Sequence, residues 1–308
     1  MKYSLIDTHC DTASEALDKG VGFCGGGLHV DLDKMRGVRY TQFFAAYIAP
    51  QYSGTAFDRA CAIINKVESE AERSCGIMAL CKSFEDYEKN ASKVRAFLSL
   101  EGGEAIEDID ALGKLYDEGV RLAALTWNFS NRIASGVLEP DEKRGLTDFG
   151  RDVVSEMNRL GMIIDVSHLN DKSFWDIIEE SKKPVIASHS NARAVCKNKR
   201  NLTDEQFFAI KEKGGFVGIN FYPAFLSDKP GAGIDDVIRH IDHFLSLGGE
   251  DNIGIGADFD GVDCLPHGVT GVHDVCRVFD EMLRRGYGEE LVNKISYTNM
   301  ERILKEYL

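Results

Sequence analysis

Imidazole and carboxylate side chains recur in this sequence at one kind of place, the end of a short apolar run. His9 and Asp11 close the first such run. Glu101, His168, His189, Asp258 and Asp260 close others further along. His9 and Asp11 are two residues apart, so in a strand they share a face and Cys10 takes the opposite one. Nitrogen and oxygen donors together suit zinc and similar first-row metals. One catalytic ion needs about three protein ligands. His9, Asp11, Glu101, His168, His189 and Asp258 exceed that need. They fit two ions about 3.5–4 Å apart that share a bridging carboxylate and a water. Glu101 is the expected bridge, because Gly102-Gly103 follows it and lets the backbone turn tightly. Taken singly, each histidine reads as a structural residue and each aspartate as a helix cap. Their joint position at run ends is what argues for metal.

Such residues need a scaffold that brings run ends together. Apolar runs at 4–11, 41–48, 94–101, 120–127, 162–168, 185–190, 216–222 and 253–260 read as strands. Amphipathic stretches at 56–74, 109–118, 147–160, 172–181, 203–213, 235–247, 272–285 and 288–307 read as helices. Gly119, Gly161, Gly214-Gly215 and Gly248-Gly249 sit where helices should stop, and Thr203 with Gln206, and Asp235, where they should start. Eight βα units predict an α/β protein of the (β/α)8 TIM-barrel type, one domain over 1–308 with helices at the C-terminal end. An open sheet would carry a glycine-rich phosphate loop after its first strand; here that strand ends in His9-Cys10-Asp11. In a barrel the C-terminal strand ends form the active rim.

The chain has 308 residues, 44% hydrophobic and 28% charged, which is ordinary for a globular protein. Fifty acidic against 36 basic residues give a net charge of -14. That balance argues against nucleic acid and against an anionic membrane as partners. No apolar run is long enough for a transmembrane helix. The first residues show no secretory signal pattern, and the eight cysteines form no CxxC pair. Reduced thiols and a cytoplasmic location are the expectation. His240 and His243 lie three apart and read as a solvated helix face; His29, in a loop, is a candidate to line the pocket. The segment 128–144 is either a lid or a plain surface excursion.

Seven segments then resemble the membrane (renal) dipeptidase family of zinc metallopeptidases, in its bacterial, non-secreted form. They are IDTHCD at 6–11, LEGG at 100–103, GMIIDVSH at 161–168, PVIASHS at 184–190, RNLTD at 200–204, GINFY at 218–222 and GIGADFDG at 254–261. They run in family order over nearly the whole chain. The resemblance implies two zinc ions, one held by His9 and Asp11, the other by His168 and His189, with Glu101 between them. It implies Asp258 as the acid/base, Arg200 on the substrate's C-terminal carboxylate, and Tyr222 near the substrate. The implied substrate is a small dipeptide, with a D-residue tolerated at the second position. Barrels of this family are often homodimers, and no interface is legible here. One departure stands out. The family commonly has Leu-Thr-His after its fourth strand, where this chain reads Leu125-Thr126-Trp127-Asn128. Either Trp127 reshapes the substrate pocket and Asn128 or another donor compensates for the absent His, or the activity is weak or altered; a working enzyme with shifted specificity is the expectation. Two other readings remain open: a binuclear hydrolase of a non-peptide amide, lactone or phosphoester, and a metal- and peptide-binding barrel that has lost catalysis.

Overall fold

The computed structural model describes residues 3–308. Nine parallel strands are present among them: β1 Leu5–Cys10, β2 Tyr40–Tyr47, β3 Met78–Leu80, β4 Val94–Glu101, β5 Val120–Ala124, β6 Ile163–Asp165, β7 Val185–Ala187, β8 Phe216–Ile219 and β9 Ile253–Ile255. β1 pairs with both β2 and β9, and β2 pairs with β4, so eight strands close into a barrel without β3. The (β/α)8 expectation therefore holds. β3 is an addition that sequence patterning missed. It pairs only with Val94–Ala96, the start of β4, while β5 pairs with the upper part of the same strand. Three residues are too few to show a period. The helices Thr12–Lys19 and Phe84–Lys89 were also not expected.

The lower barrel is filled by one large side chain from each of seven strands: Ile6, Phe43, Phe97, Leu122, Ile163, Ile186 and Phe216. The eighth strand contributes Gly254, because a Cβ there would lie 2.6 Å from the ring of Phe216. Tyr297, Met300, Ile303 and Leu304 of the C-terminal segment join this cluster and close the lower end. Among the described residues no helix is long and apolar enough to cross a membrane, and all eight cysteines are unpaired.

Helix boundaries largely follow the stop and start signals. Gly119 and Gly161 end their helices in the left-handed conformation. Thr203 and Gln206 form both halves of a capping box, at 3.2 and 2.9 Å. Asp235 is a correction. It is exposed in the first turn, and Asp236 is the residue whose carboxylate accepts the Gly233 N–H at 2.8 Å.

The upper strand ends differ most from expectation. β6, β7 and β9 stop three to five residues short of their apolar runs, so His168, His189 and Asp258 project from the turns that follow. His168 and Asp258 have φ of 68° and 64°, a conformation that costs a non-glycine residue of order 1–3 kcal/mol. Close backbone packing supports these turns. The Ser188 carbonyl passes so near Gly218 and Gly256 that a Cβ would lie 2.1 or 1.8 Å from its oxygen. Gly256→Ala should therefore lower stability by about 1–3 kcal/mol or more. Gly113→Ala, on a helix with open space around it, should raise it by about 0.5–1 kcal/mol. Urea unfolding of the metal-free proteins measures both; equal midpoints would contradict the close packing.

Candidate functional site

All six expected ligand residues meet at the upper rim, and all are buried. His9 and Asp11 come from β1 and its end, Glu101 ends β4, and the turns after β6, β7 and β9 supply His168, His189 and Asp258. His9 Nε2 lies 3.3 Å from Asp11 Oδ2, 3.4 Å from Glu101 Oε2 and 3.7 Å from Asp258 Oδ1. The other Glu101 oxygen faces the remaining histidines, 2.9 Å from His168 Nε2 and 3.9 Å from His189 Nε2. Two sets of donors could thus each surround an ion, His9 with Asp11 and Asp258, and His9 with Glu101 and His189, and His168 Nε2 lies 2.8 Å from His189 Nε2 beside the second set. Glu101 sits between them, one oxygen to each side.

Surrounding groups hold these side chains in place. Asn220 donates to Asp258 Oδ2 at 2.9 Å, and Asn191 holds Asn220 at its backbone through two bonds of 2.9 Å. Asp7 Oδ1 accepts the N–H groups of His9 and Ala257, tying β1 to the turn that carries Asp258. Asn128 Oδ1 lies 2.9 Å from His168 Nδ1, and Ser188 Oγ lies 2.6 Å from His189 Nδ1. Asp165 backs Ser188 by accepting its hydroxyl and its N–H. Asp165, Ser188, Asn191 and Asn220 were not singled out by sequence reasoning. Three of them, Asp165, Ser188 and Asn220, lie inside the quoted motifs, and that membership was the available signal.

The electrostatics of this cluster are those of crowded buried charges. Burial opposes ionisation of Glu101, but the charges and hydrogen bonds of His9 and His168 outweigh it and hold its carboxyl below the usual range. Burial and the neighbouring Glu101 push Asp11 up to about 8. Burial likewise raises Asp258, with Glu101 adding to it against the pull of His9. His168 falls to about 4 through burial and the charge of Arg200. His189 is held well below its ordinary value through burial and His9. A bound cation reverses this logic for carboxylates, because it becomes the largest local charge.

A cavity of about 460 Å³ opens over the cluster, in the range of small-molecule sites. Asp11, Glu101, His168 and Asp258 form its floor, and Trp127, Asn128, Arg200, Tyr222 and Phe225 line its walls. Arg200 is buried, over the Phe225 ring at 5.4 Å, with a guanidinium nitrogen 3.3 Å from the His189 carbonyl. Its Nε has no hydrogen-bond partner. Trp127 packs edge-on against Tyr47 at 5.5 Å and lies 6.3 Å from the His168 ring. Tyr222 is fixed through its N–H to Asn220 Oδ1 at 2.6 Å.

The remaining candidates have structural partners. Asp260 accepts the His29 N–H at 2.8 Å and donates its own N–H to His29 Nδ1 at 3.0 Å. The pair braces the loop after the first helix, and His29 is not among the residues that line the cavity. His240 corrects the expected solvated face. It is fully buried, accepting the Ala192 N–H and donating to the Leu226 carbonyl. His243 pairs with Asp204 at 2.7 Å.

The chain matches the family model of the membrane dipeptidases, peptidase family M19, over residues 1–307. A Klebsiella pneumoniae protein described only as an uncharacterized protein in the pqqA 5' region is 38% identical over 250 residues, 75% of this chain and 90% of that one. Dipeptidase 3 of Rattus norvegicus is 32% identical over 290 residues, 89% of this chain. The match spans 58% of the rat protein's length. A metallopeptidase from Rhodobacter sphaeroides, solved with a phosphinate mimic of the dipeptide L-Ala-D-Ala, superposes with a TM-score of 0.91 at 30% identity, covering 99% of each chain. The chain belongs to the membrane dipeptidase family, peptidase family M19, and is a hydrolase acting on peptide bonds.

Proposed function

We propose that this protein is a two-zinc dipeptidase that cleaves small dipeptides bearing a free C-terminal carboxylate and accepts a D-residue at the second position. The observation that carries the metal reading is a pair of orphans. His9 Nε2 and Asp11 Oδ1 are buried with no hydrogen-bond partner, at the centre of a cluster of carboxylates and imidazoles. Native proteins rarely leave such atoms unsatisfied, and a cation satisfies both. Mixed imidazole and carboxylate donors favour zinc. His9, Asp11 and Asp258 would hold one ion, His168 and His189 the other, with Glu101 between them.

Bound there, the ions would acidify a water and polarise the scissile carbonyl. The chain's own groups supply the rest. Arg200 offers a guanidinium with an unpartnered Nε at the cavity wall, a planar donor that suits a carboxylate. It restricts substrates to those with a carboxylate close to the cleaved bond. Asp258, held at Oδ2 by Asn220, takes a proton from the attacking water and returns it to the leaving amine. Trp127 and Tyr222 wall the cavity beside the substrate's side chains. The dipeptide mimic bound by the Rhodobacter sphaeroides relative carries a D-residue at its second position and supports the same tolerance here. Eight unpaired cysteines support a reducing, cytoplasmic setting.

Metal analysis of the purified protein should find two zinc ions per chain. Chelation should abolish dipeptide hydrolysis and added zinc should restore it; full activity in the metal-free protein would refute the proposal. Glu101→Gln and His168→Ala should reduce turnover to background in the same assay. Arg200→Ala should lower kcat/KM by roughly ten- to a hundredfold, the worth of a charge-assisted bond of about 1.5–3 kcal/mol. Wild-type enzyme should discriminate against dipeptide amides to a similar degree. Equal rates on acid and amide would favour a non-peptide or neutral substrate instead.

A further inference from the structure

We infer that Asn128 and Ser188 are positioning residues, which fix the proton on the outer nitrogen of His168 and His189 so that both inner nitrogens face Glu101 as bare lone pairs. The inference rests on the metal reading above and assigns Asn128 a role other than substrate contact. It follows from counting protons. Ser188 has one hydroxyl proton, and it goes to the Asp165 carboxylate. Asp165 is itself fixed, its other oxygen accepting the N–H groups of Ser167 and Ser188 at 2.9 Å each. Ser188 Oγ can therefore only accept from His189 Nδ1, 2.6 Å away. His189 Nε2 is left without a proton.

The same count applies to His168. Its Nδ1 is 2.9 Å from Asn128 Oδ1, and an amide oxygen only accepts. The proton therefore sits on Nδ1, and Nε2 is bare. The two Nε2 atoms then lie 2.8 Å apart, with Glu101 Oε1 2.9 Å from His168 Nε2. Three acceptors converge and no proton is left to share among them. A cation between them resolves the repulsion, and outer-nitrogen partners are what orient histidine ligands.

The two supports differ in kind. Ser188 is backed by a carboxylate inside the barrel. Asn128 is neutral and belongs to the loop after β5, whose alternatives were lid or surface excursion. That loop is docked on the ligand itself. Val137 donates its N–H to the His168 carbonyl at 2.7 Å, and Leu138 donates to the Asn128 carbonyl at 2.8 Å. Gly136 bridges to Leu169. Asn128 is thereby held against His168 from both its backbone and its side chain.

The test is metal affinity, not activity alone. Wild type, Asn128→Leu, Asn128→Asp and Ser188→Ala would be stripped of metal and titrated with zinc against a chelator, and with cobalt while its visible absorption is recorded. Asn128→Leu and Ser188→Ala should bind one of the two ions about 10- to 100-fold more weakly, with a changed cobalt spectrum. Asn128→Asp, which can only accept, should retain wild-type affinity. The melting temperatures of the metal-free proteins separate this effect from misfolding. Wild-type affinity for both ions in Asn128→Leu, with only KM raised, would overturn the inference and return Asn128 to a substrate contact. Loss of affinity in Asn128→Asp equal to that in Asn128→Leu would overturn it too. A wild-type protein that binds no ion would instead remove the metal reading on which it stands.

Discussion

Three carboxylates and three imidazoles, taken out of water within a few ångströms of one another, set the terms for the rest of this molecule. Asp11, Glu101 and Asp258 are all buried. Desolvating an ionised carboxylate costs several kcal/mol, and a neighbouring like charge adds to it. The cavity's own cations do little to relieve this. Arg59 is paired with Asp18 at 2.8 Å, and Arg200 stands at the wall beside a backbone carbonyl. The chain alone therefore answers the crowding by shifting protons, with His9 raised, against its burial, by Glu101 and Asp11, with Asp11 and Asp258 raised, and with His168 and His189 lowered. Divalent cations offer the other answer, because they stabilise all the carboxylates at once and use the neutral imidazoles as donors.

A cluster of that kind has to be imposed by the scaffold. The barrel does so from below, where seven large apolar side chains and the C-terminal segment fill and close the lower end. Above that layer the strands end early, and the turns carry three of the candidate ligands. His168 and Asp258 sit in the left-handed region, which aims their side chains inward at an energetic cost of order 1–3 kcal/mol each. The Asp7 carboxylate, the Asn191–Asn220 pair and the Asp165–Ser188 pair spend buried polar groups on holding those turns. Buried networks of this sort are stable only when every member is satisfied. That is why the unpartnered atoms of this region, His9 Nε2, Asp11 Oδ1, Asp7 Oδ2 and Arg200 Nε, are informative: the first two belong to the crowded carboxylates and imidazoles themselves.

Much of this arrangement was legible in the residues. A parallel strand buried on both faces reads as an apolar run, so all eight barrel strands and the candidate ligand residues at or near their ends could be placed. Glu101, at the end of the long strand Val94–Glu101, was placed to the residue. The short strands were not. The run 162–168 has one more apolar residue, Val166, beyond Asp165, and nothing in its pattern marks where pairing stops and the turn begins. Positive φ at His168 and Asp258 was invisible for the same reason, because no glycine signals it. His240 shows the opposite failure. It shares the spacing of the buried Val237, Ile241 and Phe244, so periodicity put it on the inner face, and the solvated reading followed its polarity instead; its partners, the Ala192 N–H and the Leu226 carbonyl, come from other elements. Asn220 and Ser188 could be seen as motif residues, yet their roles depend on which oxygen meets which nitrogen, and that is a tertiary fact.

Arg200 carries the same logic to the substrate. It is a buried guanidinium whose Nε has no partner and whose other contacts are weak, at 3.3 Å to the His189 carbonyl and 3.5 Å to Ser190 Oγ. Burial has already lowered its affinity for its proton. Leaving a charged donor unsatisfied is more costly than the net gain of an ordinary hydrogen bond. A ligand carboxylate removes that penalty, and a neutral group of the same shape does not. A site built on an unsatisfied buried group rejects the analogue that lacks the matching function far more strongly than an apolar pocket rejects a missing methylene. On the proposed reading, the wall beside Trp127 can therefore vary in shape, while a requirement for a carboxylate would be set by Arg200 and by how little else it touches.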